Sequence, residues 1–515
     1  MPDEEFQMLA TTEGLARVGG HMATQGTKKQ IVILGAGISG HTAARYLVRC
    51  RRKTKTPFEV VVVTPNAKWN WIPSNIWVGV GQMNESQVTF ELAPLYKRIG
   101  VPFHQARALS IHPEGSAEDP SPHVLIEYTS ADKAGQTARI PYDYLINATG
   151  PKLNFGATEG LGPDHGHTVS VCTASHALEA NAKLQATIEA MRRGDTKTIV
   201  IGTGHGTCTC QGAAFEYIYN VEHVLRDAGV RDKARLIWIS NEYELGDFGM
   251  GGVHIERGGY ITNGKVFAES LMVERGIEWI TRAAVNKVEA GKIHYEKLDG
   301  SQNELDFDFA MLIPPFAGVG LKAFDKAGED ITAKLFAPSG FMKVDGDYTP
   351  RPYAEWSAKD WPSTYQNPTY GNIFAIGIAF APPHLISKPM VSANGTPINP
   401  APPRTGMPSA AMAIAVTRSI RDMLDGAPAP TRTASMARMG AACVASTGRN
   451  FFTGSAATMT VFPVVPDYEK YPEYGRDLSL TFGEIGLAGH WMKAMLHYTF
   501  IYQAKMLPGW SLLPD

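Results

Sequence analysis

Apolar positions along this chain come in short unbroken runs, and glycine-rich turns punctuate them. The run KKQIVIL reaches Leu34, GAGISG follows, and HTAARYLVRC then carries its apolar residues at helical spacing. A second run, Phe58 to Val63, comes at the distance of a β-α-β unit. Strands that are apolar throughout belong in a parallel sheet covered on both faces. The same order returns further on, with Thr198 to Ile201 as strand, GTGHGTCTCQG as turn, AAFEYIYNVEHVLRDAG as helix and Ala234 to Ser240 as the next strand. Tyr142 to Gly150, Phe309 to Phe316 and Asn372 to Pro383 predict strands whose ends reach a cleft. Pro397 to Pro408 (PINPAPPRTGMP) predicts a rigid irregular loop ahead of a helix over Ser409 to Leu424.

Two such units in 515 residues predict an α/β fold with two Rossmann-like dinucleotide-binding domains, followed by a C-terminal amphipathic, membrane-associating region. The first domain is expected to be discontinuous, over 29–165 and 318–430. The second occupies 166–317, the C-terminal region 431–515, and residues 1–28, acidic at the start and without an apolar core, read as a disordered extension rather than a signal peptide.

In the first loop Gly35 permits the tight strand-to-helix turn, Gly37 lets the backbone approach a pyrophosphate, and Gly40 lets helix and strand pack closely. Thr64 ends the second strand where an acidic residue ordinarily takes the ribose hydroxyls, so Thr64, or Asn66 beyond it, is the candidate for that contact. Trp77, Val78 and Gly79 lie in NWIPSNIWVGVGQ (70–82), whose aromatic and glycine content suits a flat ring against backbone. Thr149 and Gly150 end one strand beneath the cofactor, and Gly377 with Ile378 ends the returning one. The second loop keeps Gly202, Gly204 and Gly206, but Thr207 to Gln211 crowds the place where a pyrophosphate would lie.

A net charge of −2 gives no reason to propose a nucleic acid partner. No eighteen-residue apolar run occurs, which argues against a spanning helix. Leu487 to Met506 instead combines broad apolar coverage with Lys493 and Lys505, and Trp510, Leu512 and Leu513 follow, a pattern suited to a membrane interface. The five cysteines, Cys50, Cys172, Cys208, Cys210 and Cys443, include no CxxC pair, so neither a disulfide scaffold nor a metal site is expected. A few reactive thiols among structural ones is the better reading.

The segments PSNIWVGVG (73–81), YDYLINATGPKL (142–153), VCTASHA (171–177), CQGAAFEY (210–217), IFAIGIAFAPP (373–383) and PRTG (403–406) occur in this order. From Gln30 to the C-terminus, apart from 347–370, the chain resembles the flavin-dependent sulfide:quinone oxidoreductases of type I. The resemblance implies FAD as cofactor, hydrogen sulfide and a membrane quinone (ubiquinone or menaquinone) as substrates, and peripheral attachment to a lipid bilayer surface; self-association into a homo-oligomer stays open. By position, Cys210 and Cys443 match the redox pair, bridged by a disulfide or polysulfide, with Cys443 nearer the flavin. Cys172 matches an auxiliary third cysteine, and His176 and Glu216 match acid/base groups. Lys493 matches a lysine near the flavin and quinone, and Thr405 and Gly406 fall in the cofactor-binding PRTG segment. Cys50 and Cys208 have no counterpart and are expected to be buried structural thiols.

Asp247 stands where that family often has a histidine, and the tail is shorter than in members with a full pair of membrane helices. Two related enzymes remain open, the flavoprotein subunit of a flavocytochrome c sulfide dehydrogenase and a type II NADH:quinone dehydrogenase. Glu242, placed where an acid could bind a ribose, favours the latter. Outside enzymes, a membrane-surface persulfide carrier or redox sensor would share the cysteines.

Overall fold

The computed structural model describes residues 28–404 and 406–513; Thr405 and, Lys28 apart, the extension expected over 1–28 lie outside the described residues. Strand β1 (Lys29–Leu34), helix α1 (Ile38–Cys50) and strand β2 (Phe58–Thr64) form the first unit. The strands run parallel, from Lys29 opposite Phe58 to Leu34 opposite Val63. Ile31 to Leu34 are wholly buried. At about 1.5–3 kcal/mol for each large apolar side chain removed from water, such a strand is held mid-sheet and not at an edge.

A short helix α2 (Asn75–Gly79) precedes β3 (Phe103–His112), β4 (His123–Tyr128), β5 (Thr137–Pro141) and β6 (Tyr144–Asn147). In space the order is β6-β1-β2-β3-β4-β5, parallel as far as β3 and antiparallel beyond it. Helix α3 (Ala174–Arg192) leads into a second sheet built from β7 (Lys197–Thr203), β8 (Ala234–Ile239), β9 (Ile277–Ile280) and β10 (Phe309–Ile313), with helix α4 (Gln211–Asp227) between β7 and β8. All its pairings are parallel, in the order β9-β8-β7-β10. The chain then returns to the first sheet, where β11 (Ile373–Ala375) pairs with β6.

Helix α5 (Gly406–Leu424) packs along α1. It takes in Pro408, so the irregular loop ends earlier than its proline content suggests. A proline in the first turn lacks only an N–H that has no intrahelical acceptor there.

Strands β12 (Ala441–Thr447), β13 (Ser455–Val461) and β14 (Phe482–Gly486) make an antiparallel sheet, and helix α6 (Leu487–Ala504) follows. Helix α6 is polar inward and apolar outward: His490, Lys493, His497 and Gln503 are buried, while Trp491, Met492, Met495, Tyr498 and Tyr502 are exposed. Among the described residues no helix is long and apolar enough to cross a membrane. Trp510 is not free to serve as an interfacial anchor, because it packs edge-on against Tyr46 with the Arg45 guanidinium 5.0 Å from its ring. Leu512 and Leu513 remain exposed.

Candidate functional site

Gly35 has φ +97°, and a Cβ there would lie 2.2 Å from the Ala148 carbonyl oxygen. A Cβ on Gly40 would lie 2.1 Å from Gly35 O, so turn and helix meet with no room for side chains. Gly37 differs, with open space beyond it, and α1 starts there without a side-chain cap, leaving its first N–H groups aimed outward. Gly150 (φ +70°) also faces open space. Gly377 sets the end of β11 onto the first turn of α1, where a Cβ would meet Ser39 Oγ at 2.5 Å, and Gly406 opens α5 beside Ile38. Thr149 is oriented by its N–H and hydroxyl, which donate to Asn147 Oδ1 at 3.2 and 2.8 Å. Thr64 is buried at the C-terminal end of β2, and Ile378 is half-buried beside Gly377. An uncapped helix start flanked by two unobstructed glycines fits the pyrophosphate of a dinucleotide.

Gly79 does not make room for a ring. A Cβ would meet Val171 Cγ1 at 2.8 Å and Tyr217 Cε2 at 3.0 Å, so glycine here allows α2 to pack on α4. Val78 is wholly buried in the same helix, and the Trp77 ring lies edge-on to His497, 5.9 Å from Lys493 Nζ.

Cys210 caps α4 in the left-handed region, φ 71° and ψ 29°. That conformation costs a non-glycine residue roughly 1–2 kcal/mol, and such outliers gather at functional sites. Cys443, on β12, brings its Sγ to 3.3 Å from where a Cβ on Gly212 would stand, within the first turn that Cys210 caps. Burial pushes the Cys210 thiol up to about 12, and the neighbouring Cys172 and Cys443 sulfurs add to it. Burial likewise raises Cys172, against a hydrogen bond with Ser170. All five cysteines are free thiols. Cys208 is wholly buried and donates to Ile313 O at 3.0 Å, and Cys50 is buried at the end of α1.

Beside Cys443 sits a buried ion pair. Lys493 Nζ lies 2.9 Å from Glu216 Oε2 and donates to Val444 O at 3.3 Å, so Lys493 points inward and does not snorkel. Glu216 Oε1 accepts the N–H and hydroxyl of Ser446 at 3.1 and 2.5 Å. Burial lifts the Cys443 thiol to about 11; Glu216 pushes the same way and Lys493 opposes. His176 stands apart from this cluster. Its ring is edge-on to Phe155, its Nδ1 is buried without a partner, and among the described residues no hydrogen bond joins it to a cysteine or to Glu216.

The second glycine loop is covered by its own chain. Asn399 and Ala401 donate N–H bonds to Gly206 O and Cys208 O at 2.8 and 2.9 Å, and a Cβ on Gly206 would lie 2.2 Å from Pro397 O. Glu242 faces inward, accepting from Ser240 Oγ at 2.6 Å and Phe248 N–H at 2.8 Å, and burial pushes its carboxyl up to about 7. Asp247 is buried nearby, held by Ser387 and Gly249, with its carboxyl also raised by burial. Sequence reasoning passed over Asn241 and Gln211, which pin the Gly206 and Cys208 carbonyls, and Arg404, buried in the PRTG segment. The amides carry no motif; the arginine sits in a segment already singled out.

Comparison with known proteins places the chain among oxidoreductases of this fold. A sulfide-quinone reductase of Aquifex aeolicus is 28% identical over 480 residues, covering 93% of this chain and 91% of that protein. The X-ray structure of the sulfide:quinone oxidoreductase from Aquifex aeolicus superposes with a TM-score of 0.70 at 27% identity, covering 93% of this chain and 92% of that one. The NDH2 of Plasmodium falciparum in complex with NADH, 13% identical with a TM-score of 0.59 over 94% of this chain and 96% of that one, shares the fold. The profile described as pyridine nucleotide-disulphide oxidoreductase matches residues 29–349. With more than half of its length matched, the chain belongs to the pyridine nucleotide-disulphide oxidoreductase family.

Proposed function

We propose that this protein is an FAD-dependent sulfide:quinone oxidoreductase, which oxidises hydrogen sulfide to polysulfide or zero-valent sulfur and passes two electrons to a membrane quinone. The observation that carries the reading is the approach of Cys443 to the first turn of α4, which Cys210 caps, against a buried Lys493–Glu216 pair. In this reading residues 29–165 and 318–430 hold FAD, 166–317 carry Cys210, and 431–515 supply Cys443 and the quinone side.

In the oxidised protein Cys210 and Cys443 are bridged. Hydrosulfide attacks the Cys210 sulfur; a new S–S bond forms there, the Cys210–Cys443 bond breaks, and Cys443 leaves as a thiolate with the electron pair. The outer sulfur of the Cys210 persulfide releases the hydrosulfide's proton to water and is left as an anion, and Lys493 favours the thiolate on Cys443. In sulfur release the Cys172 thiolate attacks the outer sulfur of the Cys210 persulfide; an S–S bond forms on Cys172, the Cys210 bond to that sulfur breaks, and Cys210 leaves as a thiolate. Bound FAD supplies two-electron acceptance from the thiolate and delivery to a quinone. Gly37 and the α1 N-terminus would hold its pyrophosphate, Thr64 its ribose, and Thr149, Gly150, Ile378 and Gly406 its remaining length. The outward face of α6 lies on the bilayer.

A nicotinamide substrate is disfavoured because the 397–401 segment lies on the loop that would hold its pyrophosphate and Glu242 is committed to Ser240 and Phe248. The test is anaerobic: sulfide should bleach the flavin and NADH should not. Cys210→Ser and Cys443→Ser should each lose at least a hundredfold of sulfide-dependent quinone reduction while retaining FAD. Full activity in either variant, or bleaching by NADH alone, overturns the proposal.

A further inference from the structure

Arg404 is 7% exposed, yet among the described residues no carboxylate lies within ion-pair distance of it. Its NH1 donates to Ile378 O at 2.9 Å and Phe380 O at 2.6 Å, and its guanidinium lies 4.4 Å from the Phe341 ring centre and 5.7 Å from that of Phe380. Carbonyls and aromatic faces solvate a cation but do not neutralise it, and a buried charge without a counter-ion is costly. Burial pushes its pKa down to about 9, which leaves it charged at neutral pH.

The backbone shows which anion is within reach. Asn399 pairs with Gly206 and Ala401 with Cys208, so the two segments advance together in parallel register. Arg404 follows Ala401 by three residues and Cys210 follows Cys208 by two, so this pairing holds the loop of Arg404 beside the loop of Cys210. In agreement, Arg404 acts on Cys210 in the direction that favours a sulfur anion, and Cys210 acts on Arg404 to keep it charged.

We propose that Arg404 is the counter-ion of the anionic sulfur carried by Cys210, thiolate or persulfide, and that it tethers this charge to Ile378 of the cofactor cradle. Arg404 is thus a positioning residue for the sulfur chain. The role of that chain rests on the sulfide-oxidising reading, but the charge pairing does not. The other groups facing Cys210 are Cys172 and Cys443, with Glu216 and Lys493 behind Cys443 and Tyr348 beside Arg404.

The test is the alkylation rate of Cys210 by iodoacetamide between pH 7 and 10, on FAD-loaded protein reduced with a phosphine and read by peptide mass spectrometry. Arg404→Gln keeps an N–H for Ile378 O and removes the charge. It should slow Cys210 tenfold for each unit by which the thiol pKa rises, leaving Cys443 within about twofold, which lies inside the 0.3–0.5 kcal/mol scatter of independent sites. Arg404→Lys should restore the rate to within threefold. Equal Cys210 rates in wild type and Arg404→Gln, or equal slowing of both cysteines, overturn the proposal. Should Arg404→Gln fail to fold, Arg404→Lys decides: a rate near wild type supports the pairing, and a tenfold loss overturns it. A protein that keeps the Arg404-dependent profile but reduces no quinone with sulfide refutes the proposed activity and leaves this inference standing.

Discussion

The Lys493–Glu216 pair makes a prediction in which stability and reactivity separate. Both residues are nearly buried, 8% and 6% exposed, at 2.9 Å. Truncating one partner of a buried pair costs about 3–5 kcal/mol, because the other charge is left without its partner. Lys493→Met should sit near 3 kcal/mol, since Glu216 Oε1 keeps both bonds to Ser446. Glu216→Gln should destabilise comparably, and the double variant should recover most of the loss. The Cys443 thiol, at about 11, is raised by Glu216 and lowered by Lys493. Glu216→Gln should therefore speed alkylation of Cys443 at pH 8, and Lys493→Met should slow it. With about one unit per charge, the two variants should differ roughly a hundredfold in rate. Urea denaturation gives the first quantity and iodoacetamide labelling the second. Disruption alone would expose Cys443 and speed both variants, so acceleration in both refutes the reasoning.

Gly35→Ala should lose FAD and destabilise the first sheet, because φ +97° and the Ala148 carbonyl at 2.2 Å both oppose a Cβ; the flavin-to-protein ratio of the purified variant checks it. Met492→Asp with Met495→Asp, at positions 38% and 61% exposed, should weaken binding to lipid vesicles while leaving thermal stability in buffer unchanged. Glu242 has its folded-state pKa raised from 4.5 to about 7, so the folded chain binds that proton more tightly than the unfolded one. Its contribution, on the order of 3 kcal/mol, is fully present below 4.5 and is lost as pH rises toward 7, and Glu242→Gln should flatten stability across that window in urea titrations.

The β-α-β units were legible because each strand holds an unbroken apolar run, and β1, β2, β7 and β8 fall where those runs lie. The glycine loop was legible because turn, approach and packing each demand a missing Cβ. Gly79 shows the limit of that logic, since the absent side chain makes way for Tyr217 and not for a ligand. Helix α6 was legible as a helix but not in its orientation. With apolar residues on nearly every face, periodicity could not say which face points in, and the partner that draws Lys493 inward lies 277 residues away in sequence. Arg404 escaped notice for a similar reason, because an arginine in a proline-rich loop ordinarily faces water.

The inverted helix places a buried ion pair beside Cys443 and an exposed apolar face on one element. His490, Lys493 and His497 follow one another at helical spacing along the buried face; Lys493 reaches Glu216 beside Cys443, and His497 Nδ1 lies 2.8 Å from Ser74 Oγ, next to the helix that carries Trp77. A helix that commits its polar groups to the interior must present its apolar ones outward. Trp491, Met492, Met495, Tyr498 and Tyr502 would be an unfavourable surface in water, and a lipid phase removes that penalty. In the proposed function, the arrangement that holds Lys493 beside Cys443 is thus the same one that turns the opposite side of α6 toward a lipid surface.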